Sequence, residues 1–536
     1  MVSDGNQPAP SVDCWRWLVC TIFLVAFIPT LAQAYQQKQP RPTRYSHGPD
    51  SMIDEAAPQG TVEEFTHLES EIFPGTKRRF YVYVPKQYAP SKPAALMVFQ
   101  DGHAYVNRSG EYRAPVVMDN LIHAGQMPVA IGVFVDPGHK KDALPDKPGW
   151  RPQPENRAHE YDRLSDDYVR FLLDEILPRV EAKYQITKDP SGRAICGASS
   201  GGICAFTAAW EKPDQFSKVI SHIGSFVNIH HGDTYPGIIR KAERKPIRVY
   251  LQDGRNDLDN EHGNWPMANQ QMAKALEYKG YDFKFEYGGG AHDGNHGGAV
   301  LPDAMRWIWR DYSSVSPLPR SLTANVQTDS WALDWWDGRH SEKLKEKNKM
   351  KRVDIITIGD SITHHFETKA KKIWRQHFKP RHALNLGFSG DRTENVLWRL
   401  RNGEVEGLSP KLITLMIGTN NTGHRTEPPE ETAVGIKEIL RELRARMPEA
   451  KILLLAIFPR DEKPDGEMRK QNDAINAIIK DFADDQHIFF LDIGDKFLDD
   501  NGNLSKKIMP DALHPNGDGY QIWVDAMMPV VDKLLK

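Results

Sequence analysis

Val353-Asp354-Ile355-Ile356-Thr357-Ile358-Gly359-Asp360-Ser361 is a short apolar run that stops at a Gly-Asp-Ser turn. The run Val353–Ile358 is β-branched and too short for a helix, so it is expected to be a buried strand. Similar strands are expected at His382–Leu386, Leu412–Ile417, Ile452–Ile457 and Ile488–Leu491, with helical segments between them and a last helix over Gly517–Leu535. Alternation of buried strands and helices implies a mostly parallel sheet covered on both faces. In such sheets ligands bind beyond the carboxyl ends of the strands, which is where Ser361 stands.

A hydroxyl is a weak nucleophile until a neighbouring base takes its proton. The candidate base lies far along the chain, in Asp511-Ala512-Leu513-His514. Spacing of three lets Asp511 orient the imidazole while His514 faces Ser361. A tetrahedral intermediate also needs donors for its oxyanion. Gly390, in Gly387-Phe388-Ser389-Gly390, offers an unobstructed backbone N–H. Asn420, in Gly418-Thr419-Asn420, offers a side-chain amide, and the N–H of Ser361 is a third donor.

These blocks resemble the SGNH (GDSL) hydrolases, in particular the small catalytic subunits of platelet-activating factor acetylhydrolase. The resemblance runs from about Trp335 to the end. It is carried by Ile358-Gly359-Asp360-Ser361-Ile362-Thr363, Asn385-Leu386-Gly387, Val396-Leu397-Trp398-Arg399-Leu400, Met416-Ile417-Gly418-Thr419-Asn420-Asn421, Phe458-Pro459-Arg460 and Leu513-His514-Pro515. It implies a flavodoxin-like three-layer α/β/α domain. It also implies Ser361 as nucleophile, Gly390 and Asn420 in the oxyanion hole, and Asp511 and His514 completing the triad. Members remove short acyl chains, and many bacterial relatives look like carbohydrate esterases.

The first half has its own alternation. Phe80, Val82 and Val84 alternate with tyrosines in a strand ended by Pro85. Further strands are expected at Ala95–Phe99, Val129–Val135, Arg193–Cys196, Lys218–Ser221, Ile247–Leu251 and Phe283–Tyr287. The longest helical pattern runs from Leu164 to Tyr184. Gly197-Ala198-Ser199-Ser200-Gly201 stands between a strand and the expected helix Gly201–Trp210, the context of a nucleophile elbow with Ser199 exposed. Oxyanion donors are expected from the N–H groups of Ser200 and His103. Triad partners in this fold follow in the order Ser, acid, His. Asp257 is the preferred acid, with Asp253 the alternative, and His292 the preferred base, with His296 competing.

This half, about 62–312, resembles the esterase D and enterochelin-esterase-like α/β hydrolases, which include family-one carbohydrate esterases. The Ser199 elbow, Gly254-Arg255-Asn256-Asp257 and Gly290-Ala291-His292-Asp293 carry the resemblance. The fold class is therefore α/β, with an N-terminal α/β-hydrolase domain and a C-terminal SGNH domain.

Composition sets the remaining bounds. The chain has 536 residues, 40% hydrophobic and 26% charged, with a net charge of -3, which exerts no general pull on nucleic acid or anionic lipid. Arg16, the apolar run Trp17–Ile28 and Ala32-Gln33-Ala34 read as an export signal over residues 1–34, too short to span a bilayer. A secreted or periplasmic protein is expected, without a stable membrane span once the signal is cleaved. Cys14 and Cys20 would leave with the signal. Cys196 and Cys204 then remain, which excludes a disulfide scaffold or a cysteine-rich zinc site and suggests small buried apolar side chains. Residues 35–61 and 313–328 lack periodicity and read as linkers, the second leading into a domain over 329–536. The whole reads as a secreted serine esterase with two sites and no cofactor or metal, acting on acylated polysaccharide or oligosaccharide. Alternatively, only the SGNH domain is active, and the N-terminal domain is a siderophore-ester hydrolase or a non-catalytic carbohydrate-binding module.

Overall fold

A computed structural model describes residues 42–149 and 156–536; the expected export signal lies outside them. Among the described residues, fifteen strands form two large sheets and a hairpin. The first eight-strand sheet holds β1 (Thr61–His67), β2 (Arg78–Val84), β3 (Ala95–Gln100), β4 (Ala130–Val135), β5 (Arg193–Ala198), β6 (Lys218–His222), β7 (Arg248–Asn256) and β10 (Asp282–Ala291). The small strands β8 (Asp259–Asn260) and β9 (Gly263–Asn264) make the hairpin. Spatial order in the large sheet is β1-β2-β4-β3-β5-β6-β7-β10. The first two pairings, β1 with β2 and β2 with β4, are antiparallel, and the others are parallel.

The second sheet contains β11 (Ile355–Gly359), β12 (Ala383–Gly387), β13 (Leu412–Met416), β14 (Lys451–Leu455) and β15 (Ile488–Leu491), all parallel, in the order β12-β11-β13-β14-β15. This is the flavodoxin-like order, whose switch point falls where the chain leaves β11 for β12 on one side and then crosses to β13 on the other. Side chains alternate between two cores: Ile356 and Ile358 pack on one face of β11, Ile355 on the other. The first sheet is layered likewise, with Ile195 on one face of β5 and Ala194 and Cys196 on the other. Cys196 and Cys204 are both buried and unpaired.

Three local features depart from the sequence reading. Strand β1 was not expected. Its residues are mostly exposed and two are Glu63 and Glu64, so it has no apolar stripe to read; backbone pairing to β2 holds it as a charged edge. The segment read as one helix from Leu164 is instead Asp167–Phe171, a π-helical turn over Leu172–Ile176, and Leu177–Glu181. Pro178 explains the break, since its ring cannot accept the preceding helical geometry. Finally, residues 42–52 are packed chain. Thr43 N donates to Gly289 O (2.8 Å), Tyr45 is buried, and a 3-10 turn forms at Pro49–Ser51.

The two sheets belong to one compact unit spanning Thr43–Lys536. Trp398 Nε1 donates to Glu286 Oε1 on β10 (2.9 Å), and Arg401 reaches Asp303 (2.6 Å), Glu438 (2.9 Å) and Glu442 (2.7 Å). Asp50 lies against both Arg306 and Arg441. The residues expected as a second linker are also engaged: Ser321 Oγ donates to Glu431 O (2.6 Å) and Gln327 Nε2 to Gly390 O (3.1 Å).

Candidate active sites

Ser361 is the first residue of the short helix Ser361–His364, directly after β11 and Asp360. Asp360 accepts the N–H of Ile362 (2.9 Å), and burial pushes its carboxyl up to about 7. Ser361 Oγ is 2.8 Å from His514 Nε2, and His514 Nδ1 is 2.7 Å from Asp511 Oδ2. Asp511 Oδ1 also accepts the backbone N–H groups of Leu513 (3.1 Å) and His514 (2.7 Å). Partial desolvation works to raise the Asp511 pKa, but these donors outweigh it and hold the carboxyl below its usual range. A proton on His514 Nδ1 leaves Nε2 free to accept from the serine.

The loops after β12 and β13 bring the expected oxyanion residues to the same switch point. Gly390 follows β12 at φ +78, a left-handed conformation, and a Cβ there would lie 1.9 Å from the ring of Trp331. Asn420 stands at the start of the helix Thr419–Arg425 after β13. Its Nδ2 donates to Asp391 O (3.0 Å), which fixes the amide while leaving its second N–H for a ligand. Five residues spread over 154 positions of sequence (361 to 514) thus meet at three adjacent strand ends and one loop.

In the first sheet, Ser199 lies between β5 and the helix Ser200–Glu211 at φ 58, ψ -123. A Cβ at Gly197 would fall 2.1 Å from Gly201 O, so this turn closes only with glycine there. Ser199 Oγ is 2.8 Å from His292 Nε2, and His292 Nδ1 is 2.5 Å from Asp257 Oδ1. Trp265 packs edge-on against His292 (5.5 Å between centroids) and donates to Ser225, whose Oγ lies 3.2 Å from Ser199 Oγ.

The two open assignments are separated by burial. His296 is fully buried, pairs through Nδ1 with Gln252 Nε2 (2.9 Å) and stacks on Tyr45 (4.1 Å); burial pushes its pKa down to about 3. Asp253 is buried and accepts from Asn269 Nδ2 (2.9 Å) and Gly254 N (2.7 Å). Burial and the neighbouring Asp257 carboxylate hold it well above the carboxylate range. One expectation is corrected. The His103 N–H, offered as an oxyanion donor, instead donates to Asp136 Oδ1 (2.8 Å) and is committed there. The Ser200 N–H begins a helix, where no intrahelical acceptor is available to it.

Ser199 opens on a cleft of about 630 Å³ lined by Tyr105, Glu111, Tyr112, Arg157, His292 and Asp293 among others. Arg157 is held over it by Asp101 through two bonds of 2.8 Å. Sequence reasoning missed Arg157, Trp265 and Trp331. Only the last left a signal: Trp331, Trp335 and Trp336 are three of the 13 tryptophans, crowded into six residues. Among the described residues, no cluster of His, Cys, Asp and Glu is placed to hold a metal ion. No helix among them is long and apolar enough to cross a membrane.

Each arrangement can carry a proton from a serine hydroxyl to an imidazole and so attack an acyl carbon. Comparison with known proteins agrees with that chemistry. Residues 70–383 match the family described as "Putative esterase", and residues 357–522 match the GDSL-like Lipase/Acylhydrolase family. Platelet-activating factor acetylhydrolase IB subunit alpha2 of Rattus norvegicus is 38% identical over 188 residues, 35% of this chain and 79% of that protein. Subunit alpha1 of Bos taurus is 36% identical over 221 residues, 40% of this chain and 90% of that protein. Among solved structures, enterobactin esterase of Shigella flexneri gives a TM-score of 0.39 at 21% identity, covering 49% of this chain and 63% of that one. A ferulic acid esterase of Anaeromyces mucronatus gives 0.38 at 19% identity, covering 51% and 99%. The chain therefore belongs to the esterase family that spans more than half of it and, in its C-terminal region, to the platelet-activating factor acetylhydrolase family of GDSL-like hydrolases, and it is an ester hydrolase.

Proposed function

We propose that the chain is a secreted serine esterase with two independent sites, which removes acetyl groups, and at one site feruloyl groups, from a polysaccharide. One observation carries this reading: two separate Ser–His–Asp chains, Ser199–His292–Asp257 and Ser361–His514–Asp511, each with a serine-to-imidazole distance of 2.8 Å. In each, serine Oγ attacks the acyl carbon as its proton moves to His Nε2. The imidazolium then gives that proton to the departing sugar oxygen. Water, deprotonated by the same histidine, releases the acid and restores the serine. The polymer substrate is supported by the pairing of two esterases on one chain, which suits a polymer bearing two kinds of ester. Export is supported by the apolar segment Trp17–Ile28 and the small residues after it. Fractionation with N-terminal sequencing tests it: a chain outside the cytoplasm that starts near Tyr35 is expected, and a chain found only inside the cell with Met1 retained would refute it.

The experiment compares the unmodified chain, Ser199→Ala, Ser361→Ala and the double variant on acetylated, feruloylated xylan, with released acids identified. Each single variant should lose one activity, and the double variant both. A double variant as active as the parent on aryl acetates sinks the proposal. Unchanged activity of Ser199→Ala on every ester would favour a non-catalytic carbohydrate-binding role for the first domain.

A further inference from the structure

Trp331 is half exposed (50%), unusual for so large an apolar side chain. Its ring edge rests on Gly390, where an added Cβ would fall 1.9 Å from it. It also meets His424 edge-on (6.2 Å between centroids), and His424 lies on the helix Thr419–Arg425, whose second residue is Asn420. The ring thus touches both blocks that carry the oxyanion donors of the Ser361 site. Trp335 extends the surface, 6.2 Å from Trp331, and donates its Nε1 to Trp331 O (3.2 Å). Beyond it stands His364 (6.1 Å), hydrogen-bonded to Ser389 beside Gly390.

The border of this aromatic shelf is polar. Arg392 donates to Asp329 Oδ2 (2.9 Å) and to His424 Nδ1 (2.9 Å). Because Arg392 donates to His424 Nδ1, the ring proton sits on Nε2, which is left as a donor; burial, with the Arg392 guanidinium beside it, holds His424 below its ordinary range. An exposed flat apolar face bordered by fixed donors and acceptors matches one ligand shape in particular. A pyranose has a face of C–H bonds and a rim of hydroxyls. An acyl chain or lipid tail would gain little from an open surface that cannot surround it.

We infer that Trp331 and Trp335 form a sugar-stacking subsite that seats the pyranose ring bearing the ester cleaved at Ser361. This rests on the saccharide-esterase reading of that site and adds the residues that select the substrate. Trp331 stacks the ring next to the oxyanion donors, and His424 and Asp329 bind its hydroxyls.

Two measurements on the full chain test it. In the Ser199→Ala background, kcat and KM are measured on acetylated xylohexaose, on ethyl acetate, which has no ring to stack, and on a short-chain phospholipid. In the Ser361→Ala background, binding of unesterified xylohexaose is followed by isothermal titration calorimetry, whose signal does not depend on Trp331. Trp331→Ala should raise KM on the acetylated sugar about tenfold more than on ethyl acetate, and weaken xylohexaose binding about tenfold. Trp331→Phe, which keeps a stacking face, should recover most of both. Equal losses on sugar and ethyl acetate would mean that Trp331 only buttresses Gly390, and would overturn the subsite. So would xylohexaose binding indifferent to Trp331, or a loss confined to the phospholipid. Trp331-dependent binding without deacetylation would instead refute the esterase substrate reading and leave the subsite standing.

Discussion

Replacing Tyr45 by Phe removes one oxygen from a segment that follows the N-terminal residues and lies about 250 positions from the loop it touches. That oxygen accepts the N–H of Gly289 (2.7 Å). Gly289 sits where β10 slips out of register with β7, between Gly288 and Ala291, so the neighbouring strand does not supply an acceptor there. The same segment pairs Thr43 N with Gly289 O, exchanges two bonds with Asn295 (2.7 and 2.8 Å) and stacks the Tyr45 ring on His296. All of these flank His292. Tyr45→Phe keeps the stack and orphans one buried donor, at a cost of about 1–3 kcal/mol. Tyr45→Ala also loses the buried ring, for a total nearer ~3–5 kcal/mol. Because the strain falls on the loop that carries the base, about 1.4 kcal/mol of it expressed at the Ser199–His292 contact would lower kcat about tenfold. The assay is urea denaturation together with ester hydrolysis in the Ser361→Ala background, where only the Ser199 site turns over. A Tyr45→Phe chain with an unchanged denaturation midpoint and an unchanged rate at that site would refute the reasoning.

Three further outcomes follow from the geometry. His340 is buried, and burial, with Arg399 nearby, pushes its pKa down to about 3. It stays neutral when folded but is protonated below about pH 6.5 when unfolded, so its share of stability rises with pH from about 3 to 6.5 and is lost on acidification. Between pH 7.5 and 5, His340→Gln should gain about 2 kcal/mol on the parent chain in denaturant titrations; a constant difference between the two would count against this. Asn420→Ala removes an oxyanion donor and should lower kcat at the Ser361 site about 10²–10³-fold with little change in KM, a split that steady-state kinetics in the Ser199→Ala background can read. Gly197→Ala places a Cβ 2.1 Å from Gly201 O and should abolish turnover at Ser199 while the Ser361 site stays active; a fully active Ser199 site in that variant would show that the elbow relaxes freely.

What could be read from the sequence was what repeats or what stands at a strand end. β11, β12 and β13 announce themselves by short apolar runs, and Ser361, Gly390 and Asn420 follow them within a few residues, so a parallel sheet places all three together. The Ser199 elbow was legible for the same reason. The choice between His292 and His296 was not, because a loop rich in glycine carries no period to say which side chain turns inward. Three-dimensional burial decides it: the Gln252 pair and the Tyr45 stack occupy His296. Tyr45 itself was illegible, since a lone aromatic in a stretch of Pro, Thr, Arg and Ser has no pattern until its partners, some 250 residues later, are known. The π turn at Leu172–Ile176 was hidden because apolar spacing looks helical on either side of it.

The ion pairs around Asp50 and Arg401 bear on how such a protein can evolve. A gene segment moves freely between proteins when the domain it encodes closes its own surface. Here Asp50, with its side chain 9% exposed, faces Arg306 of the first half and Arg441 on the helix Pro429–Arg446 of the second, and Arg401 of the second half faces Asp303 of the first. Recombination that transplanted either half alone would part Arg401 from Asp303 and Arg441 from Asp50, and would uncover the surface that these pairs now close. Such a loss favours inheritance of both domains as a single block, with change falling on surface residues such as Trp331 and not on exchange of a domain.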